Sequence, residues 1–195
     1  WSSDVCSSDL SDNDINTIMD RANTARKTIK GGHKNSFAFY DKEMHKKILK
    51  EKEINRVSVG ELQEVLNLEE PPFRIEAYDI SNIQGVDSVG TMIVFEEGKA
   101  KSSDYRKFRI KTVKGANDYN SMREILTRRF EHGLREIREI QERNLDFSKG
   151  KFSSFPDLIM MDGGKGQVNV ALEVLNELNI DINVCGLVKD DKHQT

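Results

Sequence analysis

The chain has 195 residues, 36% of them hydrophobic and 32% charged, with 30 Lys+Arg against 33 Asp+Glu, a size suited to one domain or one domain with an appendage. Thirteen Gly and three Pro exclude a fibrous or low-complexity protein. No apolar run approaches the roughly 20 residues of a spanning helix, so no membrane partner is expected, and a net charge of −3 excludes coating of nucleic acid by overall charge, though not by a local patch.

Residues 1–10 hold Ser-Ser-Asp twice without apolar periodicity and read as a cloning or sequence-assembly scar, or as a disordered native start. They contain no charged n-region leading into an apolar h-region. Cys6 and Cys185 stand in unlike contexts, which suits neither a disulfide framework nor a metal-ligand spacing, so a reducing cytoplasm is the expected compartment. Residues 11–70 are polar and helix-like, a lead-in or linker. Ile15, Ile18, Met19 and Ala22 recur at helical spacing, Gly31-Gly32 interrupts, Lys42 to Arg56 is a charge run, and Val59, Leu62, Val65 and Leu66 are assigned one face. Pro71-Pro72 marks a boundary, because neither residue continues a helix.

From residue 71 to 195 the pattern changes. Strands are expected over Arg74 to Ile80, Val89 to Phe95 and Ser103 to Thr112, with a turn at Glu97-Gly98, as an antiparallel meander. A helical stripe follows through Met122, Ile125, Leu126, Phe130, Leu134 and Ile137. Leu158 to Met161 reads as a buried strand, Val168, Ala171, Leu172, Leu175 and Leu178 as a second amphipathic helix, and Val184 to Val188 as a last strand. The order β-β-β-α-β-α-β predicts an α/β fold, a mixed sheet flanked by helices.

Asp79 and Asp162 each interrupt or end an apolar strand, where an unpaired carboxylate is costly and needs a partner, a cap or a metal. Singly, each reads equally well as a cap of the turn or helix that follows. Together, on adjacent strand ends, they would offer the hard oxygen ligands that suit Mg²⁺ or Mn²⁺. The Asp162-Gly163-Gly164-Lys165-Gly166-Gln167 stretch lacks the spacing of a nucleotide-binding P-loop, so no nucleotide cofactor is expected, and Lys165 is left as a contact for a polymer phosphate. Between Lys99 and Arg129 lie ten Lys/Arg, including Arg106, Lys107, Arg109, Lys111 and Arg123, against Asp104, Asp118 and Glu124. This strip reads either as a solvated basic face or as a phosphate-backbone contact, with Tyr105 and Tyr119 near enough to stack; its place between the two aspartates favours nucleic acid. Asp118 precedes a helix and by itself reads as a cap or first-turn acid. The four histidines form no ligand pair.

Four segments, Arg74 to Gly85 (RIEAYDISNIQG), Tyr105 to Val113 (YRKFRIKTV), Asp118 to Glu124 (DYNSMRE) and Pro156 to Gln167 (PDLIMMDGGKGQ), resemble in the same order the C-terminal nuclease half of the UvrC family, a component of the bacterial excinuclease. The likeness runs from about Pro71 to Thr195. It implies an RNase H-like fold, Asp79 and Asp162 as ligands of Mg²⁺ or Mn²⁺, and Asp118 as a further acidic position in incision. It also implies metal-dependent hydrolysis 5′ to a lesion in damaged double-stranded DNA, with UvrB and the UvrABC system as partners. The family completes its site with a histidine on a later helix, and His193 matches a different place. Two alternatives accompany this reading: a catalytically incomplete fragment, and a non-catalytic DNA-binding or interaction module, the latter helped if Asp79 and Asp162 point to different faces of the sheet.

Overall fold

The computed structural model describes residues 42–81, 89–113, 117–146 and 150–188, apart from the side chains of Lys42 and Met44. The expectations for residues 1–41, for Lys114 and for His193 lie outside these. The chain divides into two compact units, residues 1–55 and 56–195. Helix α1 (Lys42–Leu66) supplies the described part of the first unit, where Leu49 and Ile54 are exposed, as the charge run predicts. In the second unit Val59 of α1 is buried while Val65 is 81% exposed. Val65 therefore does not share the face predicted for it: six residues from Val59 carry it about 240° round the helix, whereas Leu62 and Leu66 keep the stripe.

The second unit then runs β1 (Arg74–Ser81), β2 (Val89–Glu96), β3 (Lys99–Ala100), a 3₁₀ turn (Ser102–Asp104), β4 (Arg106–Arg109), α2 (Asp118–Glu142), β5 (Leu158–Asp162), α3 (Lys165–Glu177) and β6 (Asn183–Leu187). The strand expected over Ser103 to Thr112 is thus a four-residue strand after a tight turn. Asp104 accepts a hydrogen bond from Arg74 Nη1 at 3.0 Å and lies 3.5 Å from Lys101 Nζ, and this clustering of charge folds the chain at Ser102–Asp104 instead of extending it. Glu97 and Gly98, both at positive φ, make the two-residue turn between β2 and β3. Each helix ends at an asparagine in the left-handed region, Asn67, Asn144 or Asn179, with the next residue's amide bonding back to the last turn, as in Leu68 N to Gln63 O at 3.0 Å.

The sheet order is β3-β2-β1-β5-β6, with β4 also paired to β2. β1, β2 and β4 are antiparallel neighbours, whereas β5 runs parallel to both β1 and β6. Tyr78, Met92, Val94, Ile159 and Met161 form a buried face that packs with Met122, Ile125, Leu126 and Phe130 of α2 and Ala171, Val174 and Leu175 of α3. Full burial of each large apolar side chain contributes about 1.5–3 kcal/mol relative to exposure. β2 and α2 approach so closely at Gly90 that a Cβ there would lie 1.8 Å from Ile125 Cδ1.

A charged cluster sits inside this apolar layer. Glu76 of β1 and Arg129 of α2 are 0% and 1% exposed and joined by two hydrogen bonds, Nη2 to Oε1 at 2.7 Å and Nε to Oε2 at 3.2 Å. Arg129 also donates to the carbonyls of Phe152 and Ser154, Tyr78 donates to Glu76 at 2.6 Å, and Arg74 Nη2 stands 3.6 Å from Glu76. Burial first, and then the Glu76 carboxylate, raises the Tyr78 phenol well above its ordinary pKa. Buried charge is tolerated here because nearly every donor and acceptor finds a partner.

Candidate active site

β1 and β5 are parallel neighbours in register, with Tyr78 beside Met161. One residue further along each strand come Asp79 and Asp162. Side chains alternate along a strand, and Tyr78 and Met161 point into the helical layer, so Asp79 and Asp162 share the opposite face at the carboxyl ends of two strands about 4.8 Å apart. They do not point to different faces, the placement that would help a non-catalytic module. Asp79 is half-buried and its Oδ2 accepts a hydrogen bond from Ser81 Oγ at 3.0 Å; Asp162 is exposed. Nor is Asp162 a cap, because α3 is capped two residues later at Gly164, with no side-chain hydrogen bond.

The donor set suits a hard divalent cation. Two carboxylates on one face, one of them open to water, match an ion that binds through one or two carboxylates and keeps several waters. Among the described residues no group of three His, Cys, Asp or Glu side chains is placed to hold a metal, so water would fill the remaining positions.

The turn after Asp162 is fixed by backbone chemistry. Gly163 adopts φ +149°, open to glycine but not to L side chains, and its amide donates to Leu187 O at 3.1 Å. Asp118 opens α2 and is exposed; the cap itself is Asn117, whose side chain accepts from the Asn120 amide at 3.0 Å. Asp118 is therefore the first-turn acid of its helix. Next to it, the Tyr119 ring lies against Gly166, where a Cβ would come within 2.6 Å of Cε1, so the start of α2 abuts the start of α3 four residues beyond Asp162. Asp118 thus lies toward the same end of the sheet as the carboxylate pair.

The basic strip separates into two groups. Arg129 is not a surface charge at all but the buried partner of Glu76. Arg123 bridges to Glu173 and Glu177 of α3, and Arg106 donates to the carbonyls of Ser103 and Tyr105 and stacks over Phe152, so both guanidinium groups are engaged within the fold. Lys107, Arg109, Lys111 and Lys165 are exposed. Burial alone would raise the Glu124 carboxyl, but hydrogen bonds from Thr112, from the Lys111 amide and from Arg128 hold it below its ordinary value. Burial pushes the Cys185 thiol up, away from reactivity. A cavity of about 710 Å³ beside α2 is lined by Lys111, Thr112, Asn120 and Arg128 among others, but by neither Asp79 nor Asp162.

The family model described as UvrC RNase H endonuclease domain matches residues 63–195. The chain belongs to this family. It is 75% identical to UvrABC system protein C of Clostridium beijerinckii over 149 residues, which cover 76% of the chain and 24% of that protein. It is 71% identical to the Clostridium perfringens protein of that name, at the same coverage, and 60% identical to that of Clostridium botulinum over 179 residues, 88% of the chain and 29% of that protein. The chain therefore spans about a quarter of the length of these UvrC relatives. Solved structures include endonuclease V of Ciona intestinalis in complex with inosine-containing DNA, at TM-score 0.35 and 14% identity over 77% of the chain and 61% of that one. Human ENDOV follows at TM-score 0.34 and 13% identity over 63% and 50%. Both likenesses are too slight to carry an argument. The mixed sheet and its flanking helices are the RNase H-like fold of the matched family.

Two features of the site are not evident in the sequence alone: the row of side chains that links Asp79 to β4, and the pairing of Arg129 with Glu76. The second carries a signal, because Arg129 stands four residues after Ile125 and seven after Met122, on the apolar stripe itself.

Proposed function

We propose that this chain carries the catalytic domain of a DNA-repair endonuclease, one that hydrolyses a phosphodiester 5′ to a lesion in damaged double-stranded DNA as part of the UvrABC system. The observation that carries the reading is the register that sets Asp79 and Asp162 side by side on one face at the carboxyl ends of β1 and β5. Fold alone would not support it, since one scaffold hosts many activities. The UvrC relatives add the repair context.

Asp79 and Asp162 would hold Mg²⁺ or Mn²⁺, with Ser81 orienting the Asp79 carboxylate through its hydroxyl. When bound, such an ion supplies Lewis-acid stabilisation of the charge that develops at the scissile phosphate. Asp118 adds negative charge at the same end of the sheet and would assist by orienting water there. Lys165, at the first position of α3, contributes a positive charge beside Asp162 for a neighbouring phosphate.

Two measurements test this. Calorimetric titration of the chain with Mn²⁺ should show binding that Asp79→Ala and Asp162→Ala each abolish. In an incision reaction on a lesion-bearing duplex, supplied with the other proteins of the UvrABC system, Asp79→Ala should remove the 5′ cut while DNA affinity stays largely intact. Unchanged cutting by Asp79→Ala sinks the proposal. Mn²⁺ binding without cutting favours the alternative of a segment that folds and holds the ion but is incomplete as a catalyst.

A further inference from the structure

The face that carries the carboxylate pair is divided into two ends. At the level of Asp79 a row crosses the sheet: Asp162 and Asp79 each follow the last paired residues of β5 and β1, and Thr91 pairs with Asp79 on one side and Lys107 on the other. Directly opposed residues of antiparallel strands present their side chains on the same face. Lys107 therefore stands on the carboxylate face, while Phe108, next along β4, is buried with the helices. The next row outward pairs Ser81 with Val89 and Val89 with Arg109, which adds a second cation on the same side. Rows toward the other end of this face are apolar: Met160, Ala77 and Ile93, then Leu158, Ile75 and Phe95. Across β5, β1, β2 and β4 the polar and cationic groups of this face thus gather at the end that holds Asp79 and Asp162; at the other end Asn183 of β6, beside Leu158, is uncharged.

Resting on the nuclease reading above, we infer that the cut strand crosses the sheet at right angles to β1, β2 and β4, with Lys107 forming a phosphate site beyond the scissile position. Two strand spacings separate Asp79 from Lys107, about 10 Å. That is roughly three base steps at about 3.4 Å of axial rise each, so the phosphate held at Lys107 lies one to three nucleotides from the cut. Past Asp162 the same row continues to Leu187 of β6, which is exposed and carries no charge. Arg106 and Arg123 take no part, because their guanidinium groups are bonded within the fold.

The test is positional interference in the complete UvrABC incision reaction. A set of lesion-bearing duplexes carries one neutral methylphosphonate linkage each, at the first five positions on either side of the cut. With the wild-type chain, a neutral linkage at one position within three nucleotides of the cut should lower kcat/KM, and Lys107→Ala should lower it on the unmodified substrate by a similar factor. At that position alone the two losses should not add. Lys107→Ala should also reduce the salt dependence by about one phosphate contact, and Lys107→Arg should keep both properties. The melting temperature of Lys107→Ala should match the wild type, since the side chain is exposed. Losses that add at every position, or a Lys107→Ala enzyme with wild-type kcat/KM, overturn the strand path while leaving the nuclease reading intact. Absence of any cut by the wild-type chain overturns both.

Discussion

Replacing Arg129 by Met removes the guanidinium that holds Glu76 in the core. Glu76, 0% exposed, is then left with the Tyr78 hydroxyl at 2.6 Å and Arg74 at 3.6 Å, and the carbonyls of Phe152 and Ser154 lose their donor. Breaking one side of a buried ion pair costs about 3–5 kcal/mol, against a total stability of about 5–15 kcal/mol for an ordinary domain. At about 2–4 °C per kcal/mol for a chain of this size, the melting temperature should fall by about 6–20 °C. Met keeps the unbranched stem of Arg but lacks its Cζ and two Nη atoms, so a small cavity adds to the electrostatic loss, and a double variant that also replaces Glu76, which keeps that cavity, separates the two. Urea denaturation followed by far-ultraviolet circular dichroism should show a lower midpoint at an unchanged m-value. The double variant Glu76→Leu with Arg129→Met should recover most of the loss, because a matched apolar pair is close to neutral where a lone charge is not. A single variant costing under about 1 kcal/mol, or a double variant no better than the single, would refute the view that Arg129 compensates a buried carboxylate.

Other outcomes follow from local geometry. A Cβ at Gly186 would lie 2.5 Å from the Gly163 carbonyl, a backbone atom that cannot swing aside, so Gly186→Ala should cost about 1–3 kcal/mol and weaken Mn²⁺ binding at the adjoining Asp162; calorimetry reads both. Gly60, in the middle of α1 with nothing within 4 Å, should instead gain about 0.5–1 kcal/mol on conversion to Ala, as a higher urea midpoint. Glu124 has a folded-state pKa below its ordinary value. Its contribution is therefore complete above the unfolded-state value, about 4.3, and is lost as pH falls through it and below. Glu124→Gln should lower stability at pH 7 but approach the wild type near pH 3, and a constant difference across that range would contradict the assignment.

Much of the fold was legible because period reports burial. The stripe Met122, Ile125, Leu126 and Phe130 is buried as its 3.6-residue spacing predicts, although Leu134 and Ile137 are only half-buried and Ile140 takes their place in the interior. β1, β2, β5 and β6 fall where apolar alternation or an apolar run sets them. What periodicity could not show is where charge goes. A count of ten basic residues treats Arg129 like Lys107, yet one lies within the core and the other on the carboxylate face. The third strand begins later than expected for the same reason: Asp104 draws in Arg74 and Lys101 and bends the chain before Arg106. The neighbouring placement of Asp79 and Asp162 depends on strand order, which local pattern does not encode; the motif resemblance supplied it as an expectation.

The central pairing of the sheet joins segments far apart in the chain: the Arg74 amide bonds to Asp157 Oδ2 across 83 residues. At about 5–20 residues per second of synthesis, roughly 4 to 17 s separate the emergence of β1 from that of its parallel neighbour β5. The β1–β2–β4 meander is available to close within that interval, which leaves the other edge of β1 bare until β5 arrives. The nascent polypeptide thus passes through a stage with an open ribbon edge, at which holding chaperones or slow translation near α2 would govern yield more than the stability of the finished domain does.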